Sequence, residues 1–361
     1  VVGIVLGVYI GTIVLLNIPN IQQAMSVFVA EELSEVLNTK VMIGRINIGL
    51  LNRIIIDDVL LDDQSGQEML KVTRLSAKFD IMPFFKGKIS ISSVQLFGFN
   101  INLRKETPDS PPNFKFVLDA FASKDTVKKE NSLDLRINSI LIRRGRMSYH
   151  VLSEEETPGK FNAKHIQLQN IIANISLKAL SKDSLNLGIK RLSLDEKASG
   201  FSLKKMSLKL VANNKQTNID NFTIELPETS LKLDTIHLEY DSLKAFDRFT
   251  EQVHFSFRTL PSQVTLKDIS PFVPILSHFK EPVTLDMEVK GTVDQLTCSH
   301  LEITTDDRQF RLRGDVSLQD LSHPQDAYVY GTLSELSANT RGVGFLVRNL
   351  SPNYNGVPPL L

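Results

Sequence analysis

Apolar and polar residues follow two different periods along this 361-residue chain. Residues 1–18 are almost continuously apolar and carry Ile4, Val5, Leu6, Val8, Ile10, Ile13, Val14, Leu15 and Leu16; no charged residue occurs before Glu31. That run is about long enough to cross a hydrocarbon core of roughly 30 Å. It outlasts the roughly 7–15 apolar residues of a cleaved signal peptide, and Asn17-Ile18-Pro19-Asn20 is a poor cleavage site. The expectation is an uncleaved transmembrane anchor. In residues 19–38, Ile21, Ala24, Met25, Phe28, Val29, Leu33, Val36 and Leu37 then recur at helical spacing, with Glu31, Glu32 and Glu35 on the other side and Asn20 placed to cap. This amphipathic helix lies either where the anchor leaves the bilayer or against the first sheet.

From Lys40 the period falls to two. Val41, Ile43, Ile46 and Ile48 alternate with polar or small residues; Ile54, Ile56, Val59 and Leu61 follow, then the acidic turn 62–66, then Leu70, Val72, Leu75, Ala77 and Phe79. A short helix or turn fits residues 81–87, and residues 89–103 read as paired strands. Pro108, Pro111 and Pro112 mark a turn, residues 114–122 a helix, and residues 123–131 a charged connection that serves as the main boundary. Beyond it the alternation dominates, broken by two helical interruptions at 242–250 and 271–280. The clearest runs are Phe222, Ile224, Leu226; Val253, Phe255, Phe257; Leu285, Met287, Val289; and Phe310, Leu312. Successive side chains on a strand point to opposite faces, so each run has one apolar and one wet side.

A one-sided sheet must hide its apolar side. A second sheet, closure into a barrel, or a groove filled by lipid all produce the same alternation. Three features favour the groove over a sandwich. There is no cysteine pair, tryptophan or tyrosine corner; the strands run on past the usual size of one domain; and an apolar N-terminal segment feeds directly into them. The eleven residues of those four runs are therefore the candidates for a lipid-lining face, the alternative being a dry core.

Composition removes other classes. Lys plus Arg total 41 and Asp plus Glu total 41, so the chain lacks the net basic charge of a phosphate-neutralising nucleic-acid binder. The single cysteine, Cys298, excludes an internal disulfide and a cysteine-based zinc site. Asp57, Asp58, Asp62 and Asp63 lack the spacing of an EF-hand loop and read as a solvated turn. The seven histidines are scattered, none at metal-ligand spacing in sequence, and His278 in an apolar helix reads as packing or capping. No Gly-x-Ser-x-Gly elbow, phosphate-binding loop or clustered acid–base pair is present, so neither an enzyme nor a cofactor or metal is expected. Arg143, Arg144 and Arg146 read as a solvated turn, or as contacts to lipid headgroups at a groove rim.

Val41-Met42-Ile43-Gly44-Arg45-Ile46, Gly49 to Val59, Asp62-Asp63-Gln64-Ser65-Gly66 followed by Leu70-Lys71-Val72, then Lys86 to Leu96 and Ile101-Asn102-Leu103-Arg104 resemble the opening of TamB-type proteins of the AsmA-like, repeating β-groove family. The order of anchor, helix and β unit is similar too. The resemblance covers about the first third by motif and the rest by the character of its strands. It implies a mainly β fold: a transmembrane helix (1–18), an amphipathic helix (19–38), a β-rich unit (39–122) and an elongated open, taco-like groove (123–361) with a few short helices, truncated at its C-terminal end. It also implies a single-pass inner-membrane location with the bulk in the periplasm, and phospholipid acyl chains as cargo moving toward the outer membrane. A TamA- or BamA-type outer-membrane barrel would be the partner, met through a C-terminal region beyond this chain. The alternative function is a scaffold for assembling outer-membrane proteins with such a barrel.

Overall fold

The computed structural model describes residues 2–49, 52–80, 89–122, 133–134, 138–180, 184–305, 307–321 and 327–350. Among the described residues the fold is mainly β, with 17 of 18 strands in one mixed, largely antiparallel sheet and few helices. It divides into two compact units, Val1–Leu177 with Leu194–Gly200, and Lys178–Ser193 with Phe201–Leu361.

The first unit opens with α1 (Val2–Leu16) and α2 (Pro19–Leu37), bent 71° from each other. The bend has a chemical cause. Pro19 has no N–H to continue the first helix, and Ile18 before it is held extended at φ −66°, ψ 129°. The Asn17 side-chain amide donates to the Ile13 carbonyl (2.8 Å) and to Ile48 on the first strand (2.7 Å), which fixes the break against the sheet. At about 1.5 Å per residue α1 is roughly 22 Å long. No single described helix is long and apolar enough to cross a membrane; the bent pair qualifies by length and composition, as a signal sequence also does. The break falls at the 18/19 boundary between the apolar run and the amphipathic helix, and α1 by itself is too short to count as a span. Proline at the first helical position also moves the start of α2 to Pro19, so Asn20 does not cap it. α2 packs on the first sheet, burying Gln22, Ser26, Ala30 and Leu37 and leaving Val27, Phe28 and Val36 exposed.

β1 (Val41–Gly49), β2 (Arg53–Asp62), β3 (Glu68–Phe79) and β4 (Ile89–Lys105) pair in antiparallel sequence. The chain then passes through α3 (Lys115–Ala122) and β5 (Leu133–Asp134) before β6 (Ser139–Val151) returns parallel to β4. A parallel partner requires such a crossover. The β4–β6 pairing joins the stretch before residue 123 to the stretch after it within one unit. β7 (His165–Leu180) pairs antiparallel with β6. Leu37, Val41, Leu61 and Met69 form a core closed by Leu33, Phe114, Phe116 and Val117 from α2 and the α3 segment. The helix or turn expected at 81–87 and the connection expected at 123–131 lie outside the described residues.

A row of residues with positive φ crosses this unit. Asp58, Gly98, Arg144 and Asn170 take φ of 54°, 61°, 56° and 55° on β2, β4, β6 and β7, and the β6–β7 register shifts there. The irregularity between Ile142 and Met147 bends β6 against β7 and raises the local twist. Beside the row, Gly145 is buried where a Cβ would lie 2.4 Å from the Phe99 ring.

Most of β8 (Ser184–Glu196) belongs to the second unit. β9 (Ser202–Asn213), β10 (Gln216–Glu225), β11 (Ser230–Lys232) and β12 (Ile236–Glu239) lead to a 3-10 turn, Leu243–Arg248, and α4 (Phe249–Gln252). β13 (His254–Arg258) and β14 (Ser262–Val264) precede a second helical interruption that includes the 3-10 turn Pro274–His278. Both interruptions fall where the sequence places them. β15 (Val283–Gly291), β16 (Gln295–Thr305), β17 (Phe310–Gln319) and β18 (Tyr328–Ala338) form an antiparallel meander, ended by α5 (Thr340–Leu350). α5 is not foreseen from sequence because Gly342 and Gly344 argue against a helix interior.

Replacing Gly145 with alanine should lower the unfolding free energy by about 1–3 kcal/mol through overpacking. Trimming the opposing ring with Phe99→Leu should cost less in that background than in the native one, as a double-mutant cycle by urea unfolding would measure.

Candidate functional site

Directly opposed residues on paired strands project to the same side of a sheet. In the second unit the register sets Leu238 opposite Phe255, Phe257 opposite Val289, Leu285 opposite Ile303, Met287 opposite Leu301, and Val289 opposite Cys298. Ile303 then opposes Leu312, and Leu312 opposes Leu336. One apolar face therefore runs from β12 to β18. Phe255 and Phe257 stack along it with ring centroids 6.1 Å apart and planes 12° from parallel. Ile224 continues the apolar character on β10 and β11, opposed by Met206 and Leu231.

Each end of the strands is closed by a small buried cluster. At one end Tyr240, Ala245 and Val253 pack together, with Val253 fully buried and the Tyr240 hydroxyl donating to the Asn213 carbonyl (2.7 Å). At the other end Val283 and Phe310 pack against Phe345 of α5, with Ile303, Leu312 and Leu346 around them. The sequence candidates therefore divide. Leu226, Val253, Val289 and Phe310 are buried, whereas Phe222, Ile224, Phe255, Phe257, Leu285, Met287 and Leu312 are half-buried. On β18 the face emerges altogether: Val329, Leu333 and Leu336 are 56–66% exposed, and alternation from the preceding strands had not singled them out. Cys298 sits on the same side, and burial pushes its thiol above its ordinary range, which makes it a small hydrophobe rather than a nucleophile.

The opposite side is charged. Arg313 lies between Glu302 (3.1 Å) and Glu335 (3.3 Å), Arg258 is 3.6 Å from Asp286, and Lys290 is 2.7 Å from Glu288. Hydrogen bonding from Arg313 holds the Glu302 carboxyl below its usual range, and Lys290 does the same for Glu288. Such exposed pairs contribute little individually, but they fix which side of the sheet faces water.

Of the anchor candidates, Ile10, Val14 and Leu15 are exposed on α1, Ile13 and Leu16 half-buried; Ile4, Val5, Leu6 and Val8 belong to α1, with their side chains outside the described residues. The acidic turn is not wholly solvated. Asp63 is buried and gathers the Ser65 hydroxyl, the Ser65 and Gln67 amides and the Asn113 side chain, with Arg104 at 2.7 Å. Burial alone would raise its pKa; the hydrogen bonds outweigh that and hold it low. Glu196 is held low in the same way, burial being overcome by donors from Ser199, Gln167 and Ala198. Arg143, Arg144 and Arg146 are exposed on β6 at the bulge rather than in a turn. His278 is exposed, not packed. The histidines are not all scattered in space: the β6–β7 register opposes His150 to His165, and hairpin pairing is the signal that would have found them.

No protein-family model matches the chain, and no curated protein matches it.

Two outcomes follow. Val253→Ala should cost about 2 kcal/mol, whereas Leu336→Ala should stay within about 0.5 kcal/mol, in urea unfolding. Asp63, Glu196, Glu288 and Glu302 all have folded pKa values below their unfolded ones, near about 4. Their contribution is therefore complete above that value and lost as pH falls through and below it. The thermal midpoint should drop as pH passes below about 4, and Glu302→Gln should flatten that drop.

Proposed function

We propose that this is a membrane-anchored protein whose apolar sheet face serves as an open groove for phospholipid acyl chains, carrying them across an aqueous periplasm toward an outer membrane. The observation that carries the reading is the apolar row from Leu238 through Phe255, Phe257, Met287 and Ile303 to Leu336, backed by charge on the other side. From β13 through β15, β16 and β17 to β18 this row crosses on the order of 20 Å at ~4.8 Å per strand. An acyl chain loses roughly 0.8 kcal/mol of shielding per methylene on entering water, so a chain of about sixteen carbons cannot cross alone at a useful rate. Half-buried phenylalanine, leucine and methionine side chains supply that shielding without polar groups that would need partners. Methionine suits a surface that must fit varied chains. The bent helix pair α1–α2 would hold the groove at the inner membrane, with the groove body in the periplasm.

A second reading has one observation behind it. β18 pairs with β17 and exposes Tyr328, Val329, Tyr330, Leu333 and Leu336. An exposed apolar strand is a template for an added strand, as a scaffold for outer-membrane proteins working with a TamA- or BamA-type barrel would use.

The two readings separate by crosslinking. A photoreactive residue at Phe257 or Met287 in the full chain in cells should capture phospholipid, detected by mass spectrometry of the extracted adduct. Leu336→Asp, at an exposed position, should reduce lipid recovered with the purified protein while leaving the thermal midpoint in place. Capture of protein from all of these sites, with no lipid adduct, rejects the conduit and favours the scaffold.

A further inference from the structure

His150 is the penultimate residue of β6 and His165 begins β7, and their Nδ1 atoms stand 3.0 Å apart. His165 is buried, and its Nε2 lies 2.9 Å from the carbonyl oxygen of Glu154. A carbonyl only accepts, so Nε2 carries a proton, and in the neutral ring the lone pair then sits on Nδ1, directed at His150. This is the arrangement by which metal-binding histidines are oriented: one nitrogen donates to a backbone carbonyl, and the other is left to bind. Glu156, in the same hairpin loop, puts Oε1 4.0 Å from His150 Nδ1. All three ligand atoms lie within 4.8 Å of one another, and among the described residues this is the group that could hold a metal ion.

We infer that His150, His165 and Glu156 form a binding site for a divalent transition-metal ion. With bonds of about 2.1 Å, ligand atoms around a tetrahedral ion stand roughly 3.4 Å apart, between the 3.0 Å and 4.0 Å separations here. Two imidazoles and one carboxylate suit Zn²⁺, Co²⁺, Ni²⁺ or Cu²⁺ rather than Ca²⁺ or Mg²⁺, which prefer all-oxygen shells. The Glu156 side chain is 63% exposed, so the fourth position opens to solvent and takes water. The loop is already tied at its ends, Val151 N–H donating to Lys164 and Leu152 N–H to Lys105. An ion here staples the β6–β7 hairpin to itself, and any species that binds only the folded form stabilises it.

The test uses the full chain without a histidine tag, stripped with chelator and titrated with Zn²⁺ and, separately, Co²⁺. The expected result is one Zn²⁺ per chain by elemental analysis, a rise in thermal midpoint with Zn²⁺, and Co²⁺ absorption bands of tetrahedral type. His165→Gln and His150→Gln should each weaken binding by more than the roughly 10–100-fold that loss of an outer hydrogen-bond partner costs, and Glu156→Gln by less. His150 is the decisive position, because its side chain is 24% exposed and its replacement does not open the core. His237→Gln, remote in sequence and held by Asn218 and Glu239, should change nothing. The inference is overturned if the native chain retains no Zn²⁺, or if folded His150→Gln binds Zn²⁺ as tightly as the native chain. In either case the two rings share only a hydrogen bond.

Discussion

The structure depends on one constraint: a strand that alternates apolar and polar residues has one side that must be kept from water. In the second unit that requirement is met only at the margins. The Tyr240–Ala245–Val253 cluster closes one end of the strands and the Val283–Phe310–Phe345 cluster the other. Between them Phe255, Phe257, Leu285, Met287 and Leu312 are half-buried, Val289 and Cys298 are buried, and on β18 Val329, Leu333 and Leu336 are exposed. An apolar surface left in that state gains free energy from any hydrocarbon laid on it. The charged ladder of Arg258, Asp286, Glu302, Arg313 and Glu335 marks the other side as the wet one, so the sheet has a defined inner and outer side without a second layer being invoked.

Around β1 to β3 the first unit meets the same constraint in the ordinary way, by covering the sheet with helices. α2 and the α3 segment seal Val41, Leu61 and Met69. Polar groups at the seam are satisfied rather than excluded: Gln22 reaches Asn17 and Asn47, and Ser26 bonds back to the Gln22 carbonyl. Asp63 and Glu196 are the clearest cases. Each is a buried carboxylate whose desolvation is offset by backbone and hydroxyl donors, so each organises a tight turn. The His150–His165 pair differs from them in having ring nitrogens directed at each other and a carboxylate close by.

Residues in the left-handed region add a further layer. Asp58, Gly98, Arg144 and Asn170 adopt positive φ at one level across neighbouring strands. Their identities suit that role, since glycine, asparagine and aspartate tolerate the left-handed region better than other residues; Arg144 is the exception. At Gly98 a Cβ would also meet the Thr73 hydroxyl at 2.7 Å, so absence of a side chain is needed there twice over.

Much of this was written in the chain itself. Period-two alternation marked the strands, and the shift from helical spacing near Lys40 located the first of them, because side-chain direction follows directly from backbone geometry. The helical interruptions near 242–250 and 271–280 and the helix near 114–122 showed in the same pattern. Long-range register did not. Which residue opposes which depends on pairings between segments far apart, so the meeting of His150 with His165, the burial of Asp63, and the division of the candidate face into buried Val253 and Phe310 against half-buried Phe257 and Met287 were settled only when the strands came together. The break at Asn17–Pro19 lay between these cases: its proline was visible, but the hydrogen bond from Asn17 to Ile48 that holds the bend exists only in the folded chain.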